Sequence, residues 1–228
     1  MGLFAIADLH LSLGVNKPMD IFKGWEHYVD RLEQNWRSKI TSEDTVILPG
    51  DISWGMTLAQ AKPDFAFIHN LPGKKILLKG NHDYWFSTKN KVDQFLAENG
   101  FSSISMLFNN AFEYGDYCLC GTRGWMNEKG EQADKKVLLR EAGRLRLSLE
   151  AGTKTGKPPI AFLHYPPVYA SDECYELLSV LLEFGVKRCY YGHIHGRAQE
   201  YAINGERNGI DFRLISGDYI QFDPVQIL

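Results

Sequence analysis

Five short segments of the chain combine carboxylate, imidazole and amide side chains, the groups that bind divalent cations in proteins. The segments are Asp8-x-His10, Gly50-Asp51, Gly80-Asn81-His82-Asp83, His164 and Gly192-His193-x-His195. This mixture of ligands suits two divalent transition metals of the Zn, Mn, Fe or Co type. None of the segments contains a cysteine, which argues against a structural zinc site. The residue types therefore favour a catalytic centre with two metal ions.

Taken singly, several of these segments have a simpler explanation. The Asp-x-His at residues 8–10 is also typical of a turn with a satisfied polar pair, and the Gly-Asp at 50–51 is an ordinary turn dipeptide. The segment 192–195 is more specific, because two imidazoles one residue apart on an extended chain point the same way. Five of the seven histidines lie in the five segments. Their joint occurrence is what indicates a site.

Each segment follows a short apolar run that is typical of a buried strand. In an open sheet, ligands bind outside the carboxyl ends of the strands, so the segments are expected to meet at one edge. Asp51 follows the central strand of the first three and is therefore the natural carboxylate to bridge two cations. Helices are predicted at residues 25–39, 57–70, 89–98, 132–150 and 172–184, and further strands at 112–114, 117–121 and, as antiparallel strands, within 201–228.

The alternation of strands and helices predicts an α/β protein. With 228 residues, of which 44% are hydrophobic, the chain is expected to fold as one domain over residues 1–228. Residues 101–159 interrupt the alternation, and we interpret them as a lid or a flanking insertion. The sequence does not decide between these two interpretations.

Composition also limits the classes of partner that the protein is expected to bind. The net charge of −3 gives no overall positive field, so a nucleic-acid partner is not expected. No stretch approaches the roughly 20 apolar residues of a membrane span, and no basic leader precedes the first strand, so a cytoplasmic location without a membrane partner is expected. The four cysteines are expected to be reduced and structural.

The order of the five segments resembles the calcineurin-like metallophosphoesterases, over residues 8–195. The resemblance implies an α/β fold in which two mixed β-sheets pack as a sandwich flanked by helices. It also implies two divalent metal ions, with Mn favoured. Such a metal pair, about 3.5–4 Å apart, ionises a water to a hydroxide that attacks phosphorus in an in-line displacement.

The same resemblance assigns the ligands. One metal would be held by Asp8, His10, Asp51 and His195, and the other by Asp51, Asn81, His164 and His193. His82 would donate a proton to the leaving oxygen or stabilise the transferring phosphoryl group. Asp83 would orient His82 and raise its basicity.

One departure narrows the class of substrate. Protein Ser/Thr phosphatases extend the second motif as Gly-Asp-x-x-Asp-Arg-Gly, whereas residues 50–56 read Gly-Asp-Ile-Ser-Trp-Gly-Met. The sequence looks more like the bacterial phosphodiesterase-like branch, acting on a small-molecule or nucleotide phosphodiester. The alternatives are a phosphomonoesterase acting on a small metabolite, a DNA repair-type nuclease subunit, and a non-catalytic scaffold.

Three further residues are candidates for substrate binding. Arg123 follows a predicted strand and could replace the missing phosphate-binding arginine; the alternative is a structural or surface role. Trp54 and Trp85 follow ligand segments and could stack on a nucleobase. The alternative for both tryptophans is packing beneath the metal-binding loops.

Overall fold

The structure, a computed structural model, describes residues 1–126 and 135–228. The chain forms two compact units, one of residues 1–106 with 215–228 and the other of residues 107–214. We refer to them as unit 1 and unit 2. Each is built on one mixed sheet flanked by helices. The single domain expected over residues 1–228 stays a prediction.

Unit 1 contains a five-stranded sheet in the order β13-β1-β2-β3-β4. Strands β1 to β4 are parallel, and β13 pairs antiparallel with β1 at the edge. The strands are β1 (Leu3–Ala5), β2 (Thr45–Pro49), β3 (Lys74–Leu78), β4 (Ile104–Met106) and β13 (Val225–Gln226), and the helices are α1 (Tyr28–Lys39), α2 (Leu58–Asn70) and α3 (Lys89–Glu98). All five residues of β2 are buried, as expected for the central strand of a covered parallel sheet.

Capping threonines fix where helices α2 and α3 of unit 1 begin. The side chain of Thr57 accepts a hydrogen bond from the backbone N–H of Gln60, and Thr88 caps α3 through Lys91 in the same way. Each cap follows the loop that leaves the carboxyl end of a strand, β2 or β3. The polar segments after these strands are therefore confined between a buried strand and a capped helix.

Unit 2 contains a six-stranded sheet in the order β11-β12-β10-β7-β6-β5. The four central strands are parallel, and a hairpin partner pairs antiparallel at each edge. The strands are β5 (Phe112–Tyr114), β6 (Tyr117–Thr122), β7 (Pro159–Leu163), β10 (Arg188–Tyr191), β11 (Gly205–Arg207) and β12 (Ile210–Leu214); a separate ribbon joins β8 (Val168–Tyr169) to β9 (Asp172–Glu173), and the helices are α4 (Lys135–Thr153), α5 (Tyr175–Glu183) and a 3₁₀ helix (Gly196–Tyr201).

Helix α4 packs closely on β6, and a glycine makes this approach feasible. A Cβ atom on Gly152 would lie 2.6 Å from the sulfur of Cys120 and 2.8 Å from that of Cys118. All four cysteines are free, and three of them are buried. The expected structural role of the cysteines fits these positions, since the two in β6 form the surface on which α4 lies.

The predicted fold class, α/β with two mixed sheets flanked by helices, is confirmed. The helix at 89–98 has the predicted bounds, and the helix at 57–70 begins one residue later than predicted. The helix predicted from residue 25 begins at Tyr28. The start predicted for α4, residues 132–134, lies outside the described residues.

Two predictions of secondary structure were wrong. Residues 172–173 belong to β9 rather than to a helix, because they pair with β8. The tail is not wholly antiparallel, since β12 pairs parallel with β10. Residues 101–159 contribute β4 to unit 1 and β5, β6 and α4 to unit 2; a lid function for this segment stays a prediction. None of the described helices is long and apolar enough to cross a membrane.

Candidate active site

In unit 1, the predicted ligands lie at the carboxyl edge of the sheet. The loops after β1 and β2 run side by side: Asp8 N donates to the carbonyl of Gly50, 3.0 Å away, and His10 N donates to that of Asp51, 2.9 Å away. A ligand atom of Asp8 lies within 4.8 Å of one on His10 and of one on Asp51. His10 Nε2 is 3.6 Å from Asp51 Oδ2. The predicted convergence of these three residues is therefore present within unit 1.

These three side chains are almost completely shielded from water. The exposed fractions of Asp8, His10 and Asp51 are 0%, 4% and 1%. Two carboxylates buried this close together are costly to keep ionised unless positive charge lies nearby. Two carboxylates and an imidazole are also the donor set that Mn, Fe, Zn and Co accept. The residues present therefore fit a divalent metal ion.

The backbone is strained at several predicted ligands. Asp8, His10, Asp51 and His193 have φ angles of 61°, 44°, 51° and 72°, in the left-handed region that favours glycine. Such conformations cost of the order of 1–3 kcal/mol each and persist where the surrounding structure enforces them. Their concentration at residues chosen from the sequence as ligands supports a functional site.

The loop after β3 wraps around Asp51. The backbone N–H of His82 donates to Asp51 Oδ1 at 2.8 Å. A Cβ atom on Gly80 would lie only 2.1 Å from Asp51 Oδ1 and 2.3 Å from Asp51 N, so no larger residue fits there without displacing Asp51. Asn81 lies between these two residues on the same loop and is half-buried. The Gly80 motif thus sets the orientation of the central carboxylate.

Asp83 is fully buried and holds two of these loops together. Its Oδ1 accepts hydrogen bonds from Ile52 N (2.8 Å), Ser53 N (3.2 Å) and Trp85 Nε1 (2.9 Å), and its Oδ2 accepts one from Gly80 N (2.8 Å). Burial raises the pKa of Asp83, and the four hydrogen bonds act in the opposite direction. These bonds position the loop that carries His82. Orientation of the His82 ring by Asp83 stays a prediction.

The imidazole of His82 lies in an aromatic group with His10 and Trp54. The ring centroid of Trp54 is 4.9 Å from that of His10, in a stacked arrangement, and 4.5 Å from that of His82. The ammonium of Lys17 lies 3.3 Å from the centroid of the Trp54 ring. Trp54 therefore supports both histidines, and stacking on a nucleobase stays a prediction.

Trp85 has a different environment from Trp54. It is 3% exposed, packs edge-on against Phe65 with centroids 4.9 Å apart, and donates its indole N–H to Asp83. This position fits the packing alternative. Substrate contact by Trp85 stays a prediction.

In unit 2, two predicted histidine ligands lie at the ends of neighbouring parallel strands. His164 follows β7 and His193 follows β10, and their ring centroids are 5.1 Å apart. Gly192 N donates to the carbonyl of His164 at 3.1 Å, which joins the two strand ends. His164 is fully buried, whereas His193 and His195 are half-buried. His195 lies immediately before the 3₁₀ helix.

Arg123 is joined to the same edge of unit 2. Its carbonyl accepts hydrogen bonds from His164 N (3.1 Å) and Tyr165 N (2.8 Å). Its side chain is 15% exposed, and its guanidinium lies 3.4 Å from Oε1 of Glu141, a fully buried residue of α4. Sequence analysis missed Glu141. The available signal was its position on the buried face of α4, three residues after Leu138 and four before Leu145.

Comparison with known proteins agrees with this geometry. The sequence model of the family described as calcineurin-like phosphoesterase matches residues 1–197. The chain therefore belongs to the calcineurin-like phosphoesterase family, and the resemblance seen in the five segments is confirmed. A search of curated proteins found no match.

Several solved structures share the fold at low sequence identity. The phosphopantetheinyl hydrolase PptH from Mycobacterium tuberculosis is 12% identical, with a TM-score of 0.58 over 100% of this chain and 95% of its own. The protein TT1561 of Thermus thermophilus is 11% identical, with a TM-score of 0.57 over 85% and 81%. A protein of unknown function, AQ665 from Aquifex aeolicus, is 14% identical, with a TM-score of 0.53 over 99% and 95%. At these identities the comparisons show the fold alone.

Proposed function

We propose that the chain is a metal-dependent phosphoric ester hydrolase that cleaves a phosphodiester of the small-molecule or nucleotide type. The observation that carries the proposal is the buried group of Asp8, His10 and Asp51, held on left-handed backbone in a chain of this family. Two carboxylates and an imidazole in this arrangement are a donor set that suits a divalent cation.

The proposed ligand sets follow the family resemblance. One metal would be held by Asp8, His10, Asp51 and His195, and the second would be held by Asp51, Asn81, His164 and His193. We propose Mn as the favoured metal. When bound, two such cations lower the pKa of a water and neutralise charge on the phosphoryl oxygens.

The remaining roles belong to side chains near these ligands. His82 donates a proton to the leaving oxygen, and its backbone bond to Asp51 keeps it beside the metal ligands. Asp83 holds the loop on which His82 lies. Arg123 binds the phosphate, which its connection to the His164 backbone supports. The missing Asp and Arg of the second motif argue against a phosphoprotein substrate.

We also propose a cytoplasmic location, with a small phosphoester as the partner rather than a membrane or nucleic acid. The free cysteines and the net charge of −3 support it. Duplex DNA binding with a steep dependence on salt would instead support the nuclease alternative.

Hydrolysis of bis(p-nitrophenyl) phosphate and of p-nitrophenyl phosphate, with Mn²⁺ added, tests the proposal. We expect the diester to be the better substrate; preference for the second compound would establish the monoesterase alternative. Asp51→Asn should lose at least ~100-fold in kcat/KM together with bound metal, since even residues that only support a metal ligand cost 10–100-fold. The matched control is Asp93→Asn on α3, a partly exposed carboxylate paired with Lys89. Full activity in Asp51→Asn, or no hydrolysis of either ester by metal-loaded protein, would overturn the proposal.

A further inference from the structure

Unit 2 contains a group of arginines around a single buried carboxylate, and one of them, Arg123, accepts a hydrogen bond from His164 N through its backbone carbonyl. Glu141 is 0% exposed. Its Oε2 accepts a hydrogen bond from Thr122 Oγ1 at 2.9 Å, and its Oε1 accepts one from Arg144 Nη1 at 2.6 Å. Arg123 Nη2 lies 3.4 Å from the same oxygen, and Arg140 Nε lies 3.8 Å from it.

This group carries an excess of positive charge. Three guanidinium groups share one carboxylate, and no other acidic side chain among residues 1–126 and 135–228 lies in ion-pair contact with any of the three. The exposed fractions of Arg123, Arg144 and Arg140 rise from 15% to 31% to 54%. The cluster therefore extends from the interior to the solvent, where an anion can reach it.

The arginines are held in place rather than extended freely into solvent. The guanidinium of Arg123 lies 5.2 Å from the centroid of the Trp125 ring, and that of Arg144 lies 5.1 Å from that of Phe108. The carboxylate of Glu141 contacts both guanidinium groups through its Oε1. Positioning of this kind reduces the entropy lost when a guanidinium fork binds phosphate oxygens.

We propose that Arg140 and Arg144 bind a second phosphate group of the substrate, beside the scissile phosphate that is assigned to Arg123. We name Arg123, Arg140 and Arg144 together the arginine cluster. The preferred substrates are then phosphoesters that carry a further phosphate beside the one that is hydrolysed. The inference rests on the proposed function, because it assumes that the scissile phosphate lies near His164. Glu141 is a positioning residue that orients Arg123 and Arg144.

Binding of nucleotides to the metal-loaded protein tests the inference without requiring turnover. By calorimetry, after dialysis to remove free metal, we compare AMP with ADP and with adenosine 3′,5′-bisphosphate. These ligands place the second phosphate at two different distances from the first. We expect ADP or adenosine 3′,5′-bisphosphate, or both, to bind at least ~10-fold more tightly than AMP. A difference of this size corresponds to about one additional charge-assisted contact.

Two variants test whether the arginine cluster causes the tighter binding of nucleotides that carry two phosphates. Arg144→Gln, and independently the half-exposed Arg140→Gln, should bring the affinity ratio close to one. The matched control is Arg146→Gln, which removes an arginine of the same helix that pairs with Glu183 outside the cluster. Its ratio should stay at the wild-type value.

The outcomes separate this inference from the proposed function. Equal affinity of the wild type for all three nucleotides would overturn the inference, even if the esters are hydrolysed. A preference that survives in both cluster variants would also overturn it, because metal chelation by the second phosphate would then be the cause. Failure of the proposed function appears separately, as absence of hydrolysis.

Discussion

Replacement of Asp64 should change how the stability of the protein depends on pH. Asp64 lies on α2 and is 0% exposed. Its Oδ1 accepts a hydrogen bond from Leu13 N at 2.7 Å, and its Oδ2 accepts one from Ser53 Oγ. It thereby joins the loop that follows His10 to the loop that follows Asp51. Burial raises the pKa of Asp64 from 3.8 to about 6.

The sign of the effect follows from this raised pKa. Between pH 4 and 6 the folded chain binds a proton on Asp64 more tightly than the unfolded chain does. The contribution of this proton to stability is therefore complete below pH 4 and is lost as the pH rises through about 6. At ~1.36 kcal/mol per pH unit, the loss is up to about 3 kcal/mol.

Asp64→Asn removes the ionisation and keeps the shape of the side chain. The amide oxygen can accept from Leu13 N, and the amide nitrogen can donate to Ser53 Oγ. The free energy of unfolding of this variant, relative to the wild type, should therefore rise by up to about 3 kcal/mol between pH 4 and pH 7.

Urea unfolding followed by tryptophan fluorescence measures this difference at pH 4, 5, 6 and 7. A chelator keeps both proteins free of metal, so that titration of the metal ligands contributes equally to each. Asp93→Asn, which replaces a partly exposed carboxylate of α3, is the control for loss of one negative charge. If the difference between Asp64→Asn and the wild type stays constant from pH 4 to pH 7, the reasoning is refuted.

Two further substitutions test how the loops around Asp51 are held. Asp83→Asn should lower the free energy of unfolding at pH 7 by about 1–3 kcal/mol, because the amide would face the N–H of Gly80 and leave it without an acceptor. Urea unfolding measures this change, and an unchanged midpoint would contradict the prediction. Gly80→Ala should reduce the metal content of the purified protein, measured by elemental analysis, because the added Cβ would displace the carboxylate of Asp51. Wild-type metal content in a folded Gly80→Ala protein would show that the loop can shift without moving Asp51.

Local features of the sequence were enough to locate the candidate site. Five consecutive buried residues in β2 end directly before Gly50-Asp51, and the order of strands makes this strand central, as predicted. The buried residues of a strand and the polar residues that follow it are adjacent in the sequence. For this reason they could be identified without knowledge of the tertiary contacts.

Features that depend on distant contacts could not be found in this way. The left-handed backbone of Asp8 is not encoded by its residue type, because the neighbouring loop enforces it. Lys75 gives only the pattern of a strand residue, yet it is 1% exposed, and its ammonium donates to the carbonyls of His69, Leu71 and Gly73 at and just beyond the end of α2. Glu141 pairs with Arg123, which lies 18 residues away in the sequence.

The energetics of unit 1 connect these observations to the proposed function. Left-handed backbone at Asp8, His10 and Asp51 destabilises the fold by about 1–3 kcal/mol at each residue, and the proximity of two buried carboxylates adds to this. Gly80, Asp83 and their hydrogen bonds oppose these effects by holding the loops in one arrangement. A bound cation would offset the charge repulsion directly, and it stabilises only the folded chain because the unfolded chain does not bring these ligands together. If the protein has the proposed function, the arrangement of ligands that destabilises the metal-free fold is therefore also what gives the site its affinity for metal.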